Sequence, residues 1–275
     1  MRRLDSVRTM TRMGVVGHVE WVDFLRVDHL PVQGEVQAAR RESMHAGGGA
    51  VVAAAVLAGL GAPVDFFCAL GTDGDGDAAQ AELAARGIAV HAARRPGLTR
   101  QVLTLLDRSG ERTIITLGER LQPAGADALD WGRLARADGV YFTAGDLSAV
   151  HRAREAAVLV ATPRIRERLD EADVQLDALV YSASDENEVR WAGRLASQAR
   201  WVVVTEGASG GHWHGESSGR WEAVPPDGPV RDSYGCGDAF AAGFTYGLAS
   251  GLGPAEAARI GAECGARMLT RVGAP

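Results

Sequence analysis

The ten residues Arg231-Asp232-Ser233-Tyr234-Gly235-Cys236-Gly237-Asp238-Ala239-Phe240 constrain this chain more than any other stretch. They join a loop to an Ala/Gly-rich run, reaching Ser250, that reads as a helix beginning at about Gly237. Gly235 and Gly237 leave backbone N–H groups uncovered, and such groups converging at a helix N-terminus attract an anion. Asp238 stands beside that anion hole, where an unpaired carboxylate would repel phosphate. Its placement makes sense if it faces a hydroxyl whose proton must be removed. The combination points to phosphoryl transfer to an alcohol, with Asp238 as general base and the amides of Gly235, Cys236 and Gly237 stabilising the transferred charge. The competing reading of a bare G-x-G-D is a helix cap with an acid in its first turn.

A chain of 275 residues is long for one domain and short for two, and one large α/β layer structure accommodates it. A net charge of −6 argues against a nucleic-acid surface. Cys68, Cys236 and Cys264 lie far apart with no CxxC pair, which fits neither a zinc site nor a disulfide framework and makes a reducing cytoplasm the default. Residues 1–12 carry Arg2, Arg3, Arg8 and Arg12 but no apolar segment, so they read as a disordered basic tail, not a secretory signal, ahead of a single domain over 13–275. The most apolar stretch, Ala46 to Leu70, is mostly Ala and Gly and is interrupted by Pro63 and Asp65. It reads as a buried helix and a strand, and no membrane association is expected.

Met13 to Gly17 is a short apolar run ending at glycine, the form of a buried first strand of an α/β sheet. The following His18 to Leu25 alternates polar and apolar residues, which places His18, Glu20 and Asp23 as candidates to line a pocket mouth. Trp21 beside them reads as core packing or as a stacking platform. Pro31 to Glu35 and Val36 to Met44 read as a turn and an edge strand, and Gly47-Gly48-Gly49 opens a helix with a bare-backbone N-terminus. Val64 to Leu70 is a strand, and Gly71-Thr72-Asp73-Gly74-Asp75-Gly76 precedes a helix to Arg86. A calcium loop would need a terminal Glu at a fixed spacing that is missing. Thr99 to Leu117 reads as a hairpin turning at Ser109-Gly110. From Trp131 to Tyr181 helix and strand alternate, which implies a mainly parallel sheet covered on both faces. Ser184 to Glu188 is an acidic helix start, Trp201 to Val204 a buried strand, and Thr205 to Gly210 a glycine turn. His212 and His214 then alternate on an edge strand and face solvent rather than a metal.

Asp232 to Phe240 resembles the D-T-x-G-A-G-D-x-F signature of the ribokinase-like (PfkB) carbohydrate kinases, with Ser233 for Thr and Cys236 for Ala. Further matches follow in the family's order from Met13 to Ala274: P-x-x-G-E at Pro31, G-G-x-x-x-N at Gly47, G-x-D-x-x-G at Gly71, D-x-x-G-E-R at Asp107, N-x-x-E ending at Glu188, and T-x-G-x-x-G at Thr205. The chain departs at Val52, which stands at the Asn position, and at Asp185, which stands at the Asn of N-x-x-E unless Asn187 is a shifted Asn.

The resemblance implies a three-layer α/β/α domain with a small β lid over about 24–44 and 99–117, and because such a lid sheet exposes uncovered edges, two chains are expected to pair through it as a homodimer. It implies an ATP-dependent sugar kinase, or a nucleoside kinase or non-catalytic sugar-binding member of the same fold. Asp238 would be the base and would also touch the acceptor. Gly47, Gly48 and an acid at Glu20, Val22 or Asp23, with Asp23 favoured by count, would hold the sugar. Thr205, Gly207, Gly210 and Gly237 would hold ATP, and Asp185 and Glu188 would hold Mg2+, with a monovalent cation such as K+ as a further candidate. A dinucleotide-binding enzyme is the rival reading, but no G-x-G-x-x-G follows the first strand.

Overall fold

The computed structural model describes residues 10–108, 112–271 and 273. Ser109, Gly110 and Glu111 of the expected hairpin turn, and residues 1–9 of the expected basic tail, lie outside the described residues.

Short apolar runs form the strands of the main sheet: β1 (Met13–Val16), β4 (Val64–Gly71), β5 (Ala89–Arg95), β8 (Gly139–Phe142), β9 (Leu159–Ala161), β10 (Leu176–Ser182) and β11 (Ala199–Thr205). Two more, β12 (Gly211–Gly215) and β13 (Gly219–Trp221), complete nine strands in the order β13-β12-β11-β10-β9-β8-β1-β4-β5. Every pairing from β5 to β11 is parallel, and β12 alone runs against the rest, pairing antiparallel with β11 and with β13. The expected mainly parallel three-layer architecture is what the chain adopts.

Its helices are α1 (Gly49–Gly59), α2 (Gly74–Ala85), α3 (Leu147–Arg154), α4 (Arg166–Ala172), α5 (Glu186–Leu195), α6 (Cys236–Ala249) and α7 (Pro254–Met268). One core cluster packs α1, α2, α6 and α7 against one sheet face, and a second packs α3, α4 and α5 against the other. Phe67 is fully buried in the second, stacked on Trp131 with ring centroids 4.8 Å apart. Burying such a ring stabilises the fold by roughly 2–3 kcal/mol. Small residues set the helix spacing: a Cβ on Gly247 would lie 2.6 Å from the Cα of Ala257, so α6 and α7 approach this closely only because Gly247 has none.

The small sheet has the order β3-β2-β6-β7, from β2 (Glu20–Arg26), β3 (Arg40–Gly47), β6 (Gln101–Leu106) and β7 (Arg112–Leu117). It is mixed, because β2 and β6 run parallel while β3 and β7 are antiparallel to their neighbours. The lid differs from its expected limits in two ways. Pairing runs on to Glu20↔Gly47, so the lid reaches directly into the glycine run. The strand expected from Val36 begins only at Arg40, since Val36 is 98% exposed and has nothing to pack against. Residues Trp131–Arg136 form a 3-10 helix. Among the described residues no helix is long and apolar enough to cross a membrane.

Sheet order fixes where a site can form. From β1 the chain moves outward to β4 on one side, while β8 lies on the other, so the order reverses between β1 and β8. The crevice beyond the C-terminal ends of those strands is where open α/β sheets bind ligands. Here Gly17, just past the end of β1, lies so close to its neighbours that a Cβ would meet Thr143 Oγ1 at 2.3 Å and Ala50 Cβ at 2.4 Å.

Candidate active site

The signature loop begins at Asp232, a buried carboxylate that accepts the backbone N–H groups of Tyr234 (2.9 Å) and Gly273 (3.0 Å) and pairs with Arg112 of β7 at 3.0 Å. The loop is thereby tied to the C-terminal segment and to the lid together. Arg112 also donates to Ser233 Oγ (3.0 Å) and lies over the Tyr234 ring. Tyr234 Oη in turn accepts the Gly48 N–H at 2.8 Å, joining the loop to the glycine run. Burial raises the Tyr234 pKa, so it stays a neutral phenol.

Gly235 turns the chain into α6 with φ 72°, the left-handed region that a side chain disfavours, and no side chain caps the helix. The Cys236 N–H makes a long 3.4 Å bond to Ser233 O, and among the described residues the amides of Gly237 and Asp238 have no acceptor. A Cβ on Gly237 would meet nothing within 4 Å, so the space in front of these donors is open. The Cys236 thiol is pushed up to about 11, mainly by burial and then by Asp232, and stays protonated.

Asp238 is 7% exposed. Its Oδ1 accepts the Tyr141 hydroxyl at 2.9 Å and Arg164 Nη2 at 3.2 Å, whereas Oδ2 has only a 3.4 Å contact with Arg164 Nη1. Burial, then the charge of Asp238, raises the Tyr141 pKa well above the ordinary phenol range, so this partner donates at any physiological pH. Arg164 Nε donates to Glu188 Oε1 at 2.7 Å, and Glu188 Oε2 accepts the Ser182 N–H at 2.9 Å. One guanidinium therefore links Asp238 to Glu188, and the charge of Asp238 outweighs burial in raising its pKa. Asp185 caps α5 by accepting the N–H groups of Asn187 (2.9 Å) and Glu188 (3.1 Å) through one oxygen. Among the described residues no three His, Cys, Asp or Glu side chains group as a metal site, so any ion would meet these two carboxylates with other ligands, such as water, completing its shell.

Strand alternation separates the three positions named for the substrate acid. Val22 is buried against Gly47, and Phe24 meets the Tyr234 ring edge-on at 6.1 Å, so Glu20, on the same face of β2, points toward the signature loop. Asp23 points to the other face, where Arg41 holds it through three hydrogen bonds of 2.6–3.0 Å. Glu20 lies 3.6 Å from His18 Nε2 and 3.5 Å from Arg100 Nη1. Burial alone raises its pKa, but His18, Arg100 and Arg120 outweigh that and keep it ionised.

Gly48 has φ 97°, and Gly49 packs beneath Asp238, so the glycine run, Glu20 and Asp238 share one crevice. Val52, at the expected Asn position, is fully buried under Gly235 and packs with Ala239, Cys264 and Met268, so it offers the crevice no polar group. Among the buried polar side-chain atoms without a hydrogen-bond partner are His18 Nδ1, Arg100 Nε, Thr143 Oγ1 and Thr162 Oγ1.

Thr205, Gly207 and Gly210 form a separate loop at the end of β11. Gly207 (φ 58°) and Gly210 (φ 80°) take left-handed turns, and a Cβ on Gly210 would strike Trp221 O at 2.1 Å. Thr205 O accepts the Ala183 N–H at 2.9 Å, which sets this loop beside the start of α5. His212 pairs with Glu206 at 3.0 Å, and its ring stacks on that of His214 with centroids 6.2 Å apart. Sequence reasoning missed Tyr141, Arg164, Arg100 and Arg120. None of the four carries a local mark, and Arg164 is one of three arginines, with Arg166 and Arg168, that follow β9.

A family model described as pfkB family carbohydrate kinase matches residues 10–182 and 170–275. The chain is 30% identical over 281 residues to the ATP-dependent ribose-1-phosphate kinase of Halopiger xanaduensis, covering 96% of this chain and 94% of that protein. It superposes on Arabidopsis thaliana ribokinase complexed with ribose and ATP with a TM-score of 0.78, at 20% identity, over 97% of this chain and 95% of the other. A microbiome-derived acarbose kinase superposes with a TM-score of 0.78, at 25% identity, over 96% and 94% of the two chains.

Proposed function

Because the chain belongs to the pfkB family of carbohydrate kinases and is an ATP-dependent carbohydrate kinase, we propose that Asp238 is the base that deprotonates the sugar hydroxyl as it attacks the γ-phosphorus of ATP. The observation that carries this reading is the pairing of a buried carboxylate with uncovered amides on the first turn of α6. Tyr141 and Arg164 occupy Oδ1, which leaves Oδ2 as the atom that takes the proton. The amides of Gly235 and Gly237, with that of Cys236 once its long bond to Ser233 opens, stabilise the charge of the transferring group, helped by the helix dipole behind them.

The sugar lies between Glu20, Gly47 and Gly48 on the lid side and Asp238 on the other, and the unpartnered polar atoms of His18 and Arg100, beside Glu20, are potential partners for its hydroxyls. Glu20 rather than Asp23 is the acid that holds it, because the Arg41 pairing occupies Asp23 on the opposite strand face. ATP lies along Thr205, Gly207 and Gly210 toward Gly237. Magnesium, which neutralises charge on the polyphosphate when bound, fits beside Asp185 and Glu188 through water, given how their oxygens are engaged. The three similar kinases are named for different acceptors, ribose 1-phosphate, ribose and acarbose.

Asp238→Asn tests the reading. The amide is nearly isosteric, so the variant should fold and bind sugar and ATP while turnover falls roughly 10²–10⁴-fold. Parental turnover in a variant that binds both substrates would reduce Asp238 to a first-turn helix acid.

A further inference from the structure

Resting on that kinase reading, we propose that Arg164 is a further catalytic residue. When ATP binds, its forked end leaves Asp238 for the γ-phosphoryl group, which frees the base and balances the charge of the transfer.

The chain holds 29 Lys and Arg residues together, and every one of them is an arginine. A side-chain cation at the transferring phosphoryl group must therefore be an arginine. Three arginines near the crevice are engaged elsewhere. Arg41 serves Asp23 on the far face of the lid, Arg112 holds Asp232 and Ser233, and Arg100 Nη1 lies 3.5 Å from Glu20 on the sugar side. Among the described residues, Arg164 is the cation that contacts Asp238.

Its backbone is fixed, whereas its head is not. Arg164 lies in the 3-10 helix Pro163–Ile165, one residue past β9, and Pro163 and Ile165 on either side of it are buried. The guanidinium is held firmly at one nitrogen: Nε donates to Glu188 at 2.7 Å, while Nη2 and Nη1 reach Asp238 Oδ1 and Oδ2 only at 3.2 and 3.4 Å. The side chain is 39% exposed, against 10% for Asp238 and 7% for Glu188, so the forked end borders open space. Glu188 is thus the hinge, and the fork is the part that moves.

The resting contact works against the base. A cation beside a carboxylate favours the ionised form, so it lowers the affinity for the proton that Asp238 has to take. Nη1 also faces Oδ2, the oxygen left for that proton. The pairing suits the free enzyme, in which an unpaired buried carboxylate would be costly. A γ-phosphoryl group changes the balance, because it brings more charge than one carboxylate and its oxygens match the planar fork. Tyr141 keeps its 2.9 Å bond to Oδ1, so Asp238 stays oriented after the arginine leaves.

Distance allows the exchange. The attacking hydroxyl lies about 3 Å from Oδ2 in order to give up its proton, and the phosphorus lies about 3–3.5 Å beyond it. Nη1, 3.4 Å from the same Oδ2, starts within one side-chain swing of the phosphoryl oxygens. The hydroxyl oxygen then bonds to the γ-phosphorus, the bond from that phosphorus to the β–γ bridging oxygen breaks with its electron pair leaving on ADP, and the proton passes to Oδ2. Arg164 keeps its protons throughout and acts by charge.

The test is calorimetric titration of the full-length protein, in magnesium, with ADP and with a nonhydrolysable ATP analogue that carries a γ-phosphoryl group. Asp238→Asn removes the competing charge, so this variant should bind the analogue several-fold more tightly than the parent at unchanged ADP affinity. No gain means that Asp238 does not compete for the fork, and it overturns the inference. Relief of repulsion between Asp238 and phosphate would give the same gain, and a second substitution separates the two. In the Asp238→Asn background, Arg164→Gln should weaken analogue binding about tenfold or more, the loss of one charge-assisted hydrogen bond, and leave ADP affinity in place. Arg164→Lys in that background covers a glutamine variant that fails to fold: it lacks the fork and should also bind the analogue more weakly. Equal analogue affinity with and without the fork overturns the inference and leaves the base reading untouched. With a pentose or hexose that is turned over, Arg164→Gln alone should lower kcat about 10³-fold or more, as expected of an arginine that meets a transferring phosphoryl group, and a fall of less than tenfold also overturns the inference. Parental turnover by Asp238→Asn defeats the base reading instead, and the titrations still decide whether Arg164 meets the γ-phosphoryl group.

Discussion

Gly49 lies directly beneath the carboxylate of Asp238: a Cβ on Gly49 would come within 2.6 Å of its Cγ and of both oxygens. The first residue of α1 and the first turn of α6 thus meet at one carboxylate, whose position depends on both helices. Gly49→Ala must push Asp238 aside. A displacement of about 1 Å costs roughly 10²-fold in a reaction that depends on alignment. Turnover should fall by about that factor while ATP affinity, measured by titration with a nonhydrolysable analogue, stays at the parental value. Unaltered turnover would mean that the carboxylate position is not critical.

Tyr141 and Tyr234 both keep their protons above the ordinary phenol range because they are buried. The unfolded chain releases those protons near pH 10, so above that pH the unfolded state binds fewer protons than the native state and stability falls as pH rises. Each such phenol steepens the decline by up to about 1.4 kcal/mol per pH unit. Denaturant unfolding of the parent and of Tyr141→Phe between pH 9 and 11 should show a shallower alkaline loss in the variant. Below pH 9 the variant measures only the lost hydrogen bond to Asp238. Parallel alkaline slopes would show that Tyr141 titrates normally.

The lid ends in an uncovered edge. Strand β7 is outermost in the order β3-β2-β6-β7, and Ile114, Ile115 and Leu117 on it are 48%, 44% and 44% exposed. An apolar edge with unpaired backbone groups invites another strand, and a second copy of the lid is the partner we expect. Light scattering should give a dimer for the parent and a monomer for Ile115→Lys, whose charge opposes burial. A monomeric parent at micromolar concentration would dispose of this pairing.

The parallel sheet was legible because its strands are short apolar runs separated by helices, a pattern written locally in the chain. Asp238 was legible for the same reason, flanked within four residues by Gly235 and Gly237. Its partners were not, since Arg164 is 74 residues away and Tyr141 is 97, and an Arg among other arginines or a Tyr in a buried strand carries no local mark. Counting along β2 favoured Asp23, whereas strand alternation puts Glu20 on the signature-loop side. Only the register Glu20↔Gly47 and the Arg41 pairing separate the two. The role of Asp73 was also hidden: it caps α2 and, through Thr99, fixes the base of the lid beside Arg100.

Glu188 touches the site along two routes. It lies on the first turn of α5, beside Asp185, where we propose that water-held magnesium binds, and it grips Arg164, which in turn contacts Asp238. Glu188→Gln keeps the shape and one acceptor oxygen but removes the charge that both routes use. The ion should then bind more weakly, moving the magnesium midpoint of turnover upward, and at saturating magnesium kcat should remain below the parent because Arg164 is less firmly held. Arg164→Lys isolates the second route, since a lysine cannot reproduce the forked contact to two carboxylates. It should lower kcat while leaving the magnesium midpoint where it was. If Glu188→Gln instead lowers kcat with an unmoved midpoint, Glu188 acts through Arg164 alone and the magnesium assignment is withdrawn.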